Sequence, residues 1–153
     1  MKLRKLTLLS ITILASLLIG AFAVTVLSAP PVLKLKVKWK PATYTLDSTA
    51  PDPWNAEIFF APPRPLSDVD ITSLRLEGTI QPKSPPYLDP SKNGRIIVPF
   101  IGDDVVEALL SKLPHYTPGQ FIIFLEISGR LKDGKPFKGS GPITLTLPEL
   151  PPQ

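Results

Sequence analysis

All 20 prolines of the chain lie at or after Pro30. Proline removes a helix amide and its ring clashes with the preceding turn, so the residues beyond Pro30 have little room for long helices. The residues before it carry no such restriction, and no charge occurs from Leu6 to Leu33. Three parts follow: an apolar leader over residues 1–29, a body over 30–148, and a short Pro-rich tail over 149–153.

The leader begins with Lys2, Arg4 and Lys5 and continues as an uncharged run over Leu6–Leu27. A basic head before an apolar stretch marks an exported chain, because the positive end stays cytoplasmic while the apolar part enters the bilayer. A buried core helix would not open with three bases in five residues. Two fates stay open. Ala21-Phe22-Ala23 is a small-x-small site, so the leader over residues 1–29 reads as a signal-peptide segment with a cleavage site after Ala23. The same run is also long enough for a transmembrane helix, which needs roughly 20 apolar residues to cross about 30 Å. Either way the body is expected outside the cell, released or anchored, with the membrane as a partner if the leader is kept.

The chain has 17 Lys+Arg against 13 Asp+Glu; removing the three leader bases leaves 14 against 13. Such a near-neutral body argues against a nucleic-acid partner. The absence of cysteine excludes a disulfide scaffold, a thiol nucleophile and a cysteine zinc site. A body of about 120 residues can bury roughly two-thirds of its unfolded surface, which suffices without such staples.

Within the body the hydrophobic period is two. Leu33, Leu35, Val37 and Trp39 alternate with Lys34, Lys36, Lys38 and Lys40, which predicts a half-buried strand. Further strands are expected at Ala56–Phe60, at Leu74, Leu76 and Ile80, and at Arg95–Ile101, where Pro99 points to an edge or a bulge. Gln120–Arg130 should face inward with Phe121, Ile123, Leu125 and Ile127. Phe137–Leu147 should do so with Ile143, Leu145 and Leu147, Gly139 and Gly141 marking a bulge. Asp133-Gly134 between these two favours a type I′ turn. Gly102–Leu113 has helical spacing instead, with Val106, Leu109, Leu110 and Leu113 on one face and Asp103 or Gly102 as the cap. The expected fold is all-β: an Ig-like antiparallel β-sandwich of about seven strands with one short helix, preceded by the hydrophobic leader.

The stretch Asp68-Val-Asp-Ile-Thr-Ser-Leu-Arg-Leu-Glu-Gly78, then Ile96–Phe100, a short helix and Leu131-Lys-Asp-Gly-Lys-Pro-Phe-Lys-Gly-Ser140, resembles an Ig-like module of exported bacterial and archaeal proteins. The resemblance runs from about Thr43 to Leu147, and the closing hairpin is its most specific part. It implies an extracellular, non-enzymatic adhesion or scaffold use. Many such modules carry a calcium-like D-x-D-x-D-G loop. The matching stretch Leu88–Arg95 holds one carboxylate, Asp89, whereas calcium takes several oxygen ligands, so no metal site carries over and no cofactor is expected.

Candidate chemistry is sparse. Asp68 with Asp70, and Asp103 with Asp104, are carboxylate pairs, but their settings favour turn and helix capping over acid–base work. His115, the single histidine, lies in a Pro-bounded loop without a metal partner. Ser140 between two glycines lacks the nucleophile-elbow order. No catalytic residue is expected. The lysine ladder Lys34, Lys36, Lys38 and Lys40 reads either as a strip facing an acidic partner or as lysines that protect an exposed edge strand. Among the aromatics, Trp39 continues an inward face, while Trp54 and Tyr87 lie in Pro-rich loops and are the candidates for stacking on a sugar; Tyr116 is a weaker one. Neither Asn55 nor Asn93 forms a glycosylation sequon. The function expected is an exported, surface-associated, non-catalytic structural or interaction module that meets other surface proteins or glycans. The alternatives are a glycan-binding module, or a fibre subunit assembled by exchange of the Val32–Lys40 strand.

Overall fold

The computed structural model describes residues 31–89 and 94–149. The leader and nearly all of the tail lie outside the described residues, as do Pro90–Asn93 of the calcium-like stretch. The chain is mostly β, with one short helix. Its strands are β1 (Leu33–Lys40), β2 (Thr43–Thr45), β3 (Trp54–Phe60), β4 (Val69–Leu76), β5 (Tyr87–Leu88), β6 (Arg95–Phe100), β7 (Gly119–Leu131) and β8 (Pro136–Leu147), and the helix α1 (Gly102–Ser111) joins β6 to β7.

The strands form one curled sheet in the order β4-β7-β8-β1-β3-β6-β5, with β2 also on β8. β1 is the seam. It pairs with β8 at Leu33 and Lys34, then with β3 from Leu35 to Lys40. Not every pairing is antiparallel as expected: β1 and β2 both run parallel to β8. The curl brings the inner faces of both halves onto one core. Phe60 of β3 meets Phe137 of β8 edge-on at 5.1 Å, Trp39 lies 6.0 Å from Phe100, and Tyr44 lies 5.3 Å from Trp54. Leu35, Val37, Ile58, Ile96 and Val98 from one half face Leu74, Leu76, Leu125, Ile127, Ile143 and Leu145 from the other, all buried. Each such side chain contributes about 1.5–3 kcal/mol by leaving water.

Gly139 and Gly141 explain the seam. The β7–β8 register runs unbroken past both, so the expected bulge is absent. A Cβ on Gly139 would collide with the carbonyl oxygen of Leu35, and one on Gly141 with β1 at Val37. These glycines let the backbone of β1 close onto β8, the other reason a strand carries glycine.

Other local readings also need correction. β4 stops at Leu76, because Glu77 (φ 50°) and Gly78 (φ 76°) turn the chain; Ile80 lies beyond, bridged back to Leu76. In the β7–β8 hairpin only Gly134 has positive φ (86°), so the turn is not type I′, which needs two such residues. The Gly134 N–H donates to the Leu131 carbonyl and the Leu131 N–H to Lys135. The helix buries Val105, Ala108 and Leu109, while Leu110 is exposed. Its roll is set at its start, where Gly102 lies against the Pro51 carbonyl so closely that a Cβ would collide. Neither Gly102 nor Asp103 supplies a side-chain cap. The carboxylate of Asp52, fifty residues away, accepts the Gly102 N–H at 3.4 Å instead.

Candidate functional site

The outer face of β1, β3, β6 and β5 gathers most of the singled-out side chains. Period-two geometry turns Lys34, Lys36, Lys38 and Lys40 outward, and all four are exposed. Strand pairing then places residues in rows across the sheet. One row runs Lys38, Glu57, Ile97, Tyr87; the next runs Lys36, Phe59, Arg95; a third runs Lys40, Asn55, Pro99. The lysine ladder and Tyr87, far apart in sequence, thus share one face. Tyr87 is 50% exposed.

Lys34 pairs only with β8, and Lys36, Lys38 and Lys40 pair only with β3. From Leu35 onward β1 therefore has one side with no strand bonded to it, and protection of an edge stands beside the partner surface as an account of the ladder. The alternation fixed which side chains point outward, but not which strand lies beside β1. The same pairing bears on strand exchange, since leaving for a neighbour would undo six cross-strand partners on β3.

Beneath the lysines lies a buried ion pair. Glu57 is 2% and Arg95 8% exposed. Arg95 Nη1 lies 2.8 Å from Glu57 Oε2 and 3.7 Å from Asp89, and Lys40 Nζ reaches Glu57 Oε1 at 2.6 Å. The Arg95 guanidinium also lies 4.9 Å from the Phe59 ring, with the Lys38 ammonium at 5.8 Å, both within cation–π range. Glu57 was read only as part of an apolar strand; a carboxylate inside Ala56–Phe60 was the signal that could have revealed the pair. Lys34 and Lys36 have no acidic partner within ion-pair distance among the described residues. A recess of about 250 Å³ opens here, lined by Lys40, Asn55, Glu57, Tyr87, Asp89 and Ile97. The Asn55 Oδ1 is buried without a hydrogen-bond partner.

Trp54 is a correction. It opens β3 rather than lying in a loop, is 0% exposed, packs at a tilt against Tyr44 and donates its Nε1–H to the Pro41 carbonyl at 2.9 Å. Pro53 just before it ends the loop and does not continue it. No ring face remains for a sugar. Trp39 is buried as expected. Tyr116 is partly exposed and donates to the Pro148 carbonyl at 2.7 Å.

The remaining candidates are scattered. Asp68 ends a short 3₁₀ turn, and Asp70 folds onto Thr72, whose hydroxyl donates to it at 2.6 Å. That bond holds the Asp70 carboxyl below its usual range. Asp103 and Asp104 occupy the first helical turn, where they favour the helix dipole. His115 is exposed in its loop, and Ser140 is exposed on β8 opposite Glu126. No three His, Asp or Glu side chains converge among the described residues.

No family model, curated protein or solved structure matches the chain.

Proposed function

We propose that the chain is an exported, surface-associated, non-catalytic interaction module of Ig-like sandwich build, and that the lysine face meets its partner. One observation carries this reading: Lys34, Lys36, Lys38 and Lys40 are all exposed on one face, and among the described residues neither Lys34 nor Lys36 has an acidic side chain within ion-pair distance. An acidic partner would supply the missing countercharge. The build is supported by the pairing pattern. β1, β3, β6 and β5 form one group and β4, β7 and β8 the other, matching the A-B-E-D and C-F-G order of Ig domains. Export rests on the basic-headed apolar leader.

The test is retention of the full chain on an immobilised acidic polysaccharide across a salt gradient. Retention should fall steeply with salt and be lost when Lys34, Lys36, Lys38 and Lys40 are all replaced by Gln. A four-fold variant retained like the parent would overturn the reading. The recess beside Tyr87, with its unpartnered Asn55 oxygen, supports a second, glycan-stacking reading. Binding of a neutral polysaccharide that Tyr87→Ala abolishes, and the lysine changes do not, would favour it.

A further inference from the structure

We propose that the groove along the free side of β7 accepts an extended, uncharged peptide segment of another protein as an added strand. β4 occupies that side of β7 only from Ile127 to Leu131. At Glu126 a side chain takes over: Glu77 donates its N–H to the Glu126 carbonyl, and its carboxylate accepts the Glu126 N–H at 2.7 Å. From Leu125 back to Gly119 no strand follows among the described residues.

The direction of the backbone groups is fixed from both ends. Glu126 and Arg130 turn their N–H and C=O toward β4, Arg130 donating to Ser73 Oγ at 2.7 Å, whereas Leu131 bonds to Lys135 on the β8 side. Strand groups alternate, so Gln120, Ile122 and Phe124 present theirs to the empty lane. Among the described residues no backbone hydrogen bond outside the sheet reaches Ile122 or Phe124. Their side chains are also the most exposed large apolar groups described, at 68% and 58%.

Beside this edge is a groove of about 480 Å³, walled on the far side by Leu113, Pro114, His115 and Thr117 and on the near side by Phe121–Phe124. Four consecutive strand residues line it although their side chains alternate between core and solvent. Only a groove along the strand's edge touches all four. Added strands bind in this way, with main-chain bonds for affinity and alternate side chains for selection.

The occupant follows from charge and size. No carboxylate lines the groove, Lys112 is engaged with Glu77 at 2.6 Å, and residues 117–125 carry no charge. An uncharged segment with apolar alternate positions fits. Stable dimers bury roughly 800 Å² per partner, far more than the exposed parts of Ile122 and Phe124 supply, so a second copy is the competing outcome that the test must exclude.

The test is hydrogen exchange on the full chain in detergent, with and without a blocked heptapeptide of alternating threonine and valine at millimolar concentration. The Ile122 and Phe124 amides should slow about tenfold, while Ile123, already bonded to β8, should not change. Phe124→Lys should remove the effect and leave the melting temperature unchanged. No protection of the even-numbered amides would overturn the proposal. Protection that rises with protein concentration without peptide would also overturn it, in favour of self-pairing.

Discussion

Two regions of this protein treat their strands in opposite ways. β1 has a single strand partner from Leu35 to Lys40 and carries a lysine at every outward position, while β7 has a single partner from Gly119 to Leu125 and carries Ile122 and Phe124 there. Natural sheets commonly put lysine on open edges to prevent pairing with other chains. β1 follows that rule and β7 does not. The apolar residues of β7 do not help the isolated fold, so that surface is better explained by what it meets.

The comparison is most sharply probed at Glu57. If the basic face were only a solvated surface, removing this carboxylate would matter little. Because it lies buried against Arg95, Glu57→Ala should cost about 3–5 kcal/mol, the usual effect of leaving one buried charge alone. Lys40→Ala, removing the exposed partner of the same carboxylate, should cost under about 1 kcal/mol. Urea denaturation of both variants checks the contrast; equal losses would mean that Arg95 does not depend on Glu57. Next in size is Gly139→Ala. Its methyl would push β1 off β8 at the seam, costing about 1–3 kcal/mol as overpacking does. A neutral result in thermal melts would mean that β1 is free to move at the seam.

The seam also shows what local pattern can and cannot convey. Period-two alternation identified Leu35, Val37 and Trp39, then Ile123, Leu125 and Ile127, then Ile143, Leu145 and Leu147 as inward, and all are buried. That information is local. The neighbours of β1 are not, since its partners begin at Trp54 and Pro136, and nothing near Lys34 distinguishes an edge from an interior lane. Glycine in a strand signals either a bulge or a close approach, and only the opposing Leu35 carbonyl decides between them at Gly139. Trp54 was obscured by Pro51 and Pro53, which made the start of a strand look like loop. The shared face of the lysines and Tyr87 emerges only after three pairings are traced across Glu57 and Ile97.

Smaller effects separate binding from folding. Each of Lys34, Lys36 and Lys38 changed to Gln should shift stability by no more than about 0.5 kcal/mol, and Phe124→Lys should behave alike. If a calorimetric melt of either set shows a larger loss, the corresponding surface supports the fold and its availability to a partner is in doubt.

The smallest effect lies at three exposed carboxylates away from both surfaces. Asp52, Asp70 and Asp133 all have carboxyl groups held below the ordinary value of 3.8: Asp52 chiefly by the hydrogen bond from Lys83, Asp70 by that from Thr72, Asp133 by that from Lys135. In the unfolded chain these groups take up protons first as acid is added, so between the two pKa values the unfolded state binds more protons. Their contribution is therefore complete above 3.8 and declines as pH falls through that value toward the folded-state pKa values. Asp52→Asn should flatten this acid limb slightly and weaken the tie to Gly102 at the start of the helix. Melting temperature followed from neutral pH into acid, in parent and variant, measures the difference. If the variant's curve keeps the parent's slope below 3.8, the Lys83 contact does not hold Asp52 in the folded protein, and Asp70 and Asp133 account for the acid limb.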